Sequence, residues 1–218
     1  MISNRLKSLT KYIDKKDKVI DIGCDHALLD IYMIKNNILD SIIISDVNKN
    51  ALDGGIKNIK KEAIKTIDAR LGNGLEVLTD KDNIDTVIIS GMGTNTITKI
   101  LDNDYIKNIN KLVIQSNNDH FYLREYLTNK GYIITDEEYF VDNKKNYINI
   151  VFIKGNNKYS KNELKYGPIL IKDKEYLNFE LNNCLKIKKL IINANFITKY
   201  KLNKEIRQIN KLISKIPE

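Results

Sequence analysis

The residues best suited to chemistry lie close together near the N-terminus: Asp21, Asp25 and His26, with Gly23 between the two acids. They sit in or just after the apolar run Val19-Ile20-Asp21-Ile22, and a helical pattern follows them. Such a run is how a parallel strand delivers a loop to the edge of a ligand crevice. Gly23 lets the chain turn tightly beneath the ligand. A dinucleotide would favour the full Gly-x-Gly-x-x-Gly, because a pyrophosphate needs close backbone approach and helix N–H groups. Here Asp25 and Leu28 hold the second and third glycine positions. An acid there would set two like charges in one site. The loop suits a ligand that lacks phosphate and carries a positive centre. S-adenosylmethionine, a nucleoside sulfonium, meets both conditions, and an NAD-dependent oxidoreductase is disfavoured.

Polar residues recur at the ends of the other expected strands. Asp46 ends Ile42-Ile43-Ile44-Ser45, where an acid accepts hydrogen bonds from ribose hydroxyls or favours a helix N-terminus. Asn73, inside Gly72-Asn73-Gly74, lies where an adenine ring would rest, and its amide can pair with a base edge. Gly91-Met92-Gly93 supplies a flexible floor beside the reactive end of the ligand. Gln115-Ser116-Asn117-Asn118 is a polar run whose amides can read base edges or phosphates. Four strand ends converging on one crevice is the pattern of an open α/β sheet.

The elements that must position these residues alternate. A short helix is expected over 3–13. Strands are expected at 18–22, 42–46, 64–69, 84–90, 111–115, 132–135 and 147–153. Helices are expected over 27–36, from Asn48 through Ile59, and over 96–102 and 120–129. This spacing predicts a doubly wound, seven-stranded sheet, six strands parallel and one antiparallel at an edge. Gly54-Gly55 weakens the third helix and implies close packing there. After Gly155 the character changes: from about 173 onward apolar residues recur at helical spacing in two runs, predicting a helical hairpin. The expected domains are 1–155 and 156–218.

Charge divides at the same place. Residues 1–155 hold 22 basic and 22 acidic side chains, whereas 156–218 hold 14 and 6, so the whole +8 excess lies in the last 63 residues. A basic segment beside a neutral domain suggests an arm that touches a polyanion. Two cysteines and two histidines argue against a disulfide framework or a zinc site, and no metal is expected. The apolar runs are too short to span a membrane, and no signal peptide is apparent. A cytoplasmic location with no membrane partner is therefore expected.

Taken together, these motifs resemble the bacterial tRNA (adenine-22-N1)-methyltransferases. The resemblance rests on Ser3-Asn4-Arg5-Leu6, Asp21-Ile22-Gly23-Cys24-Asp25-His26-Ala27, Gly72-Asn73-Gly74-Leu75, Gly91-Met92-Gly93, Leu112-Val113-Ile114-Gln115, Leu123-Arg124-Glu125-Tyr126-Leu127 and Tyr166-Gly167-Pro168. It implies a Rossmann-like class I methyltransferase domain followed by a coiled-coil-like helical domain that contacts tRNA, with no obligate protein partner. S-adenosylmethionine is the implied cofactor and N1 of adenine 22 the implied target. The aspartate of the Asp-His-Ala element is the family's acid/base candidate, which points to Asp25, with His26 orienting it or touching the base. Asp21, Gly23, Asp46, Asn73, Gly91 and Met92 would hold the cofactor. Arg5, Gln115, Asn117 and Arg124 are candidates for RNA contacts, although either arginine can instead form a structural ion pair. The chain departs from the family pattern at Leu28-Leu29-Asp30, where Tyr-Leu-Pro is usual, and at Thr94 for Gly, Ser116 for Pro and Ile148 for Glu. These departures leave two alternatives: a methyltransferase for a different RNA nucleotide, or an inactive RNA-binding protein of the same fold.

Overall fold

The computed structural model describes residues 2–217, which divide into two compact units, one up to Asn157 and one from Lys158. In the first, five strands in parallel register form the body of a seven-stranded sheet ordered β3-β2-β1-β4-β5-β7-β6. They are β1 (Val19–Ile22), β2 (Ile42–Asp46), β3 (Ile67–Leu71), β4 (Thr86–Met92) and β5 (Lys111–Ser116). Every residue of β1 is buried, as expected of a central strand covered on both faces. The covering helices are α1 (Asn4–Thr10), α2 (Leu28–Lys35), α3 (Lys49–Lys61), α4 (Thr94–Leu101) and α5 (His120–Asn129). Ser3 caps α1 by accepting from the Leu6 amide, and Asn48 caps α3 by accepting from the Asn50 and Ala51 amides. The main core packs Leu9 of α1 and Leu29 and Met33 of α2 with Ile44, Ile88 and Val113 of the sheet.

The strand order corrects one expectation. The antiparallel strand is β7 (Lys145–Lys154), and it lies between β5 and β6 (Tyr132–Asp142) instead of at the edge. After α5 the chain enters β6 one position beyond the next free slot, then folds back to fill that slot with β7. Asn143 and Lys144, at φ 49° and 64°, make a two-residue turn with both central residues left-handed, which matches the strand twist of a hairpin. The hairpin strands run beyond the expected 132–135 and 147–153, although acidic side chains such as Asp136-Glu137-Glu138 favour solvent. Glu137 is instead buried against Arg124. Strand β3 begins three residues later than expected.

The second unit contains α6 (Lys161–Tyr166), α7 (Lys174–Leu190) and α8 (Phe196–Ile213), the last two forming the expected hairpin. Ser160 and Glu163 make reciprocal caps at the start of α6, Asp173 caps α7 and Asn195 caps α8. Tyr166, Leu170, Tyr176, Leu177, Cys184 and Ile209 are its buried apolar residues. No helix among the described residues is long and apolar enough to cross a membrane.

Candidate active site

A cavity of about 420 Å³ opens at the carboxyl ends of β1, β2 and β4. Its walls include Arg5, Asp21, Gly23, Asp25, His26, Asp46, Gly91 and Met92, eight of the twelve residues singled out in the sequence. That is the topological position where open α/β sheets bind ligands.

The loop after β1 shapes the floor. Gly23 has φ +79°, the left-handed backbone that favours glycine, and a Cβ there would stand 2.1 Å from the flexible end of Met92, at Cε. Asp25 and Ala27 are also left-handed, at φ 48° and 54°. Such strain at a non-glycine residue persists only where surrounding structure over-determines it. The surroundings do so here: Ala27 is fully buried, the Cys24 carbonyl accepts from its amide at 2.8 Å, and Asn58 of α3 donates to the His26 carbonyl. Gly54 and Gly55 admit α3 to this contact. A Cβ on Gly55 would lie 3.1 Å from the Asp25 carbonyl oxygen, and one on Gly54 would lie 3.1 Å from His26 Nδ1.

Three carboxylates then occupy three different environments. Asp46 is half-buried and held by backbone: the Asp25 amide donates to Oδ2 at 3.3 Å and the Asn48 amide to Oδ1 at 2.8 Å. Each oxygen keeps a lone pair for a hydroxyl donor. Asp25 is exposed to 71% along its side chain, with His26 Nε2 3.7 Å from its Oδ1. Asp21 is buried, and burial pushes its carboxyl up to about 7.

Asp21 has a partner that the sequence reading did not single out for a role. Asp30, fully buried in the first turn of α2, is raised well above the carboxylate range by burial and then by the Asp21 charge. Neither oxygen of Asp30 meets an N–H or O–H donor. What it faces is the second carboxyl, so a shared proton is the only bridge the pair can form. The replaced proline was the signal that could have exposed this residue.

The polar run at the carboxyl end of β5 is arranged differently. Gln115 is 1% exposed; its Nε2 donates to Asn149 at 2.6 Å, and its Oε1 accepts from Arg5 Nη1 at 2.9 Å. It therefore cannot read a base, and that expectation is withdrawn. Arg124 is withdrawn for the same reason, since it is fully enclosed and donates to Glu137 at 2.7 Å. Arg5 remains available at the cavity wall, with its guanidinium 5.8 Å over Tyr147, which stacks on Phe140. Asn117 is exposed, and its amide donates to the Gly91 carbonyl at 2.7 Å, bracing the bulge that interrupts β4 between Ser90 and Met92. Asn73 lies outside the cavity wall, exposed after β3, and donates to Glu76. The Thr94 and Ser116 hydroxyls share a bond of 2.8 Å, so two departures from the family pattern meet each other.

The donor set fits a nucleoside sulfonium. Asp46 presents lone pairs to hydroxyls, Asp21 lines the cavity beneath the β1 loop, and that loop puts an acid where a pyrophosphate would lie.

Comparisons with known proteins point the same way. The model of a family described as a methyltransferase domain matches residues 2–150. The tRNA (adenine(22)-N(1))-methyltransferase of Bacillus subtilis is 30% identical over 149 residues, a match covering 67% of this chain and 62% of that protein's length. TrmK of M. capricolum, solved with S-adenosylhomocysteine, superposes with TM-score 0.87 at 32% identity over the full length of both chains. A putative tRNA (m1A22) methyltransferase of Streptococcus pneumoniae, solved with S-adenosyl-L-methionine, gives TM-score 0.89 at 26% identity, covering 98% of this chain and all of that one.

Proposed function

The chain belongs to the bacterial tRNA (adenine-22-N1)-methyltransferase family, and from that premise we propose that it methylates N1 of adenine 22 in tRNA, using S-adenosylmethionine. One observation carries the reading beyond family membership: three carboxylates, one buried, one braced by backbone and one exposed, converge on a single cavity.

Each has its own task. Asp46 accepts from the ribose hydroxyls, and Asp21 opposes the positive charge of the cofactor's methionine end. Gly23, Gly91 and Met92 frame the cavity, and Asn73 lies beyond it on the adenine side. When bound, S-adenosylmethionine supplies a methyl group on an electrophilic sulfonium. Arg5 and Asn117 stand at the side from which RNA enters. Methylation at N1 leaves the adenine cationic, and Asp25, exposed at the cavity wall, relieves that charge by accepting a proton from N6. His26, whose Nε2 stands 3.7 Å from Asp25 Oδ1, is exposed beside it and can orient that carboxylate or touch the target base once RNA is bound. Holding the adenine nitrogen in line with the methyl supplies much of the rate. The second unit, with its basic excess, contacts the tRNA backbone, and the protein acts in the cytoplasm, where tRNA is modified.

Three of the departures from the family pattern are accommodated within the fold. Thr94 and Ser116 compensate one another through their shared bond, and Ile148 is packed in the sheet, 5% exposed. Incubating the protein with total tRNA and labelled cofactor, then mapping the modified nucleotide, tests the reading. N1-methyladenine at position 22 is the expected product; methyl transfer to another nucleotide, or none, would overturn it.

A further inference from the structure

The hairpin of the second unit leaves large apolar side chains in water where α7 passes into α8. Leu190 is 84% exposed, Phe196 81%, Ile192 70%, Ile197 63% and Tyr200 56%. Scattered exposed hydrophobics are normal, but a cluster on so small a unit marks a contact surface. The charge around it has one sign. From Leu181 to Lys204 the chain carries six lysines and no aspartate or glutamate. Phe196 and Tyr200, one helical turn apart, hold their rings at a centroid distance of 6.2 Å with planes 25° apart. They form one aromatic surface, open to solvent, on a stretch of chain whose only charged side chains are lysines.

We propose that Phe196 and Tyr200 are a stacking platform for an unpaired base of the tRNA, with the hairpin lysines on the flanking phosphates. The proposal rests on the tRNA-methyltransferase reading above and adds the kind of nucleotide the hairpin grips. Aromatic side chains bind unpaired bases because every base has a π-face, and a base within a duplex keeps that face covered. The acid-free lysine cluster selects a polyanion as the occupant. A second copy of this chain would instead bring twelve such lysines together with no local acid to pair them. An anionic lipid surface would need an apolar face several turns long. On α8 that exposure ends at Tyr200, since Leu202 and Ile206 are only partly exposed.

The test compares the full-length protein with the double variant F196L/Y200L, which keeps apolar bulk and removes the π-faces. Both residues are exposed, so the fold is retained. Titration with unmodified tRNA across a salt series should show Kd raised about tenfold for the variant, within the range of one lost stacking contact. The slope of log Kd against log salt should stay unchanged, because stacking releases no counterions. The swap F196Y/Y200F should restore wild-type affinity. The variant K186Q/K199Q should lower the salt slope by about one to two. A leucine variant that binds tRNA like wild type, whether or not it loses binding to phosphatidylglycerol vesicles or self-association, overturns the platform alone. Wild-type protein that does not bind tRNA at all overturns the underlying reading with it.

Discussion

The loop after β1 and the carboxyl end of β5 both carry runs of polar residues, yet only the first lines the crevice, and they differ in what their side chains still offer a ligand. At the end of β5, Gln115 is tied to Asn149 and Arg5, Ser116 to Thr94, and Asn117 to Gly91. After β1, backbone atoms do the tying: the Gly23 and Cys24 amides donate to the Ser45 carbonyl, and the Asp25 amide donates to Asp46. The side chains of Asp25 and His26 are left exposed. A chain that braces a loop with its backbone keeps the side chains free for chemistry, whereas one that braces it with side chains builds a wall.

That contrast is broken most severely at Asp25. Asp25→Ala should lower kcat by about 10²- to 10⁴-fold, the usual contribution of a positioned acid/base, and leave cofactor affinity and stability near wild type. Calorimetric titration of the cofactor beside single-turnover methylation checks it; near-normal turnover would move Asp25 out of the mechanism.

On the walled side the effect should fall on stability. Arg124→Ala removes the cation that faces buried Glu137 and should cost about 3–5 kcal/mol in urea unfolding. The double variant Arg124→Met/Glu137→Leu should recover most of that loss, with turnover per folded molecule preserved. Gln115→Leu should cost less, about 1–3 kcal/mol, by stranding buried partners. Its other mark should be a raised KM for tRNA at unchanged cofactor affinity, because Arg5 loses its anchor.

The subtlest signature is a pH dependence at the carboxyl pair. Burial raises Asp21 in the folded protein to about 7 from the ordinary 3.8, so the native state holds a proton that the unfolded chain gives up. The stability contributed is full below about pH 4 and is lost as pH rises towards 7. Asp30→Asn supplies an amide donor to Asp21 and should flatten that decline. Urea midpoints at pH 5 and pH 8 would test it, with the variant gaining on wild type at the higher pH.

Local patterns were legible to the extent that their causes were local. The Asn48 cap, the helical periods of the two C-terminal helices and the glycine that turns the β1 loop all depend on residues a few positions apart. Gly54-Gly55 was readable as a demand for close packing, but not that His26 and Asp25 are what approach. The β6–β7 strands run beyond the expected 132–135 and 147–153, and nothing near Glu137 in the chain shows that Arg124, thirteen positions earlier, encloses it.

By itself the sequence determined that an acid–x–Gly–x–Asp–His loop would be delivered by a buried strand, that this loop lacks the glycines of a dinucleotide site, and that the basic excess belongs to the last 63 residues. Only the tertiary structure decided which polar groups remain free. Gln115 is sealed by Asn149, whose own amide donates to Ser8, 141 positions away, and Asp30 is set against Asp21 under the cavity. The physical reason is range: turns, caps and periodicities are governed by neighbours in the chain. Burial and hydrogen-bond saturation, by contrast, depend on partners that only folding brings together.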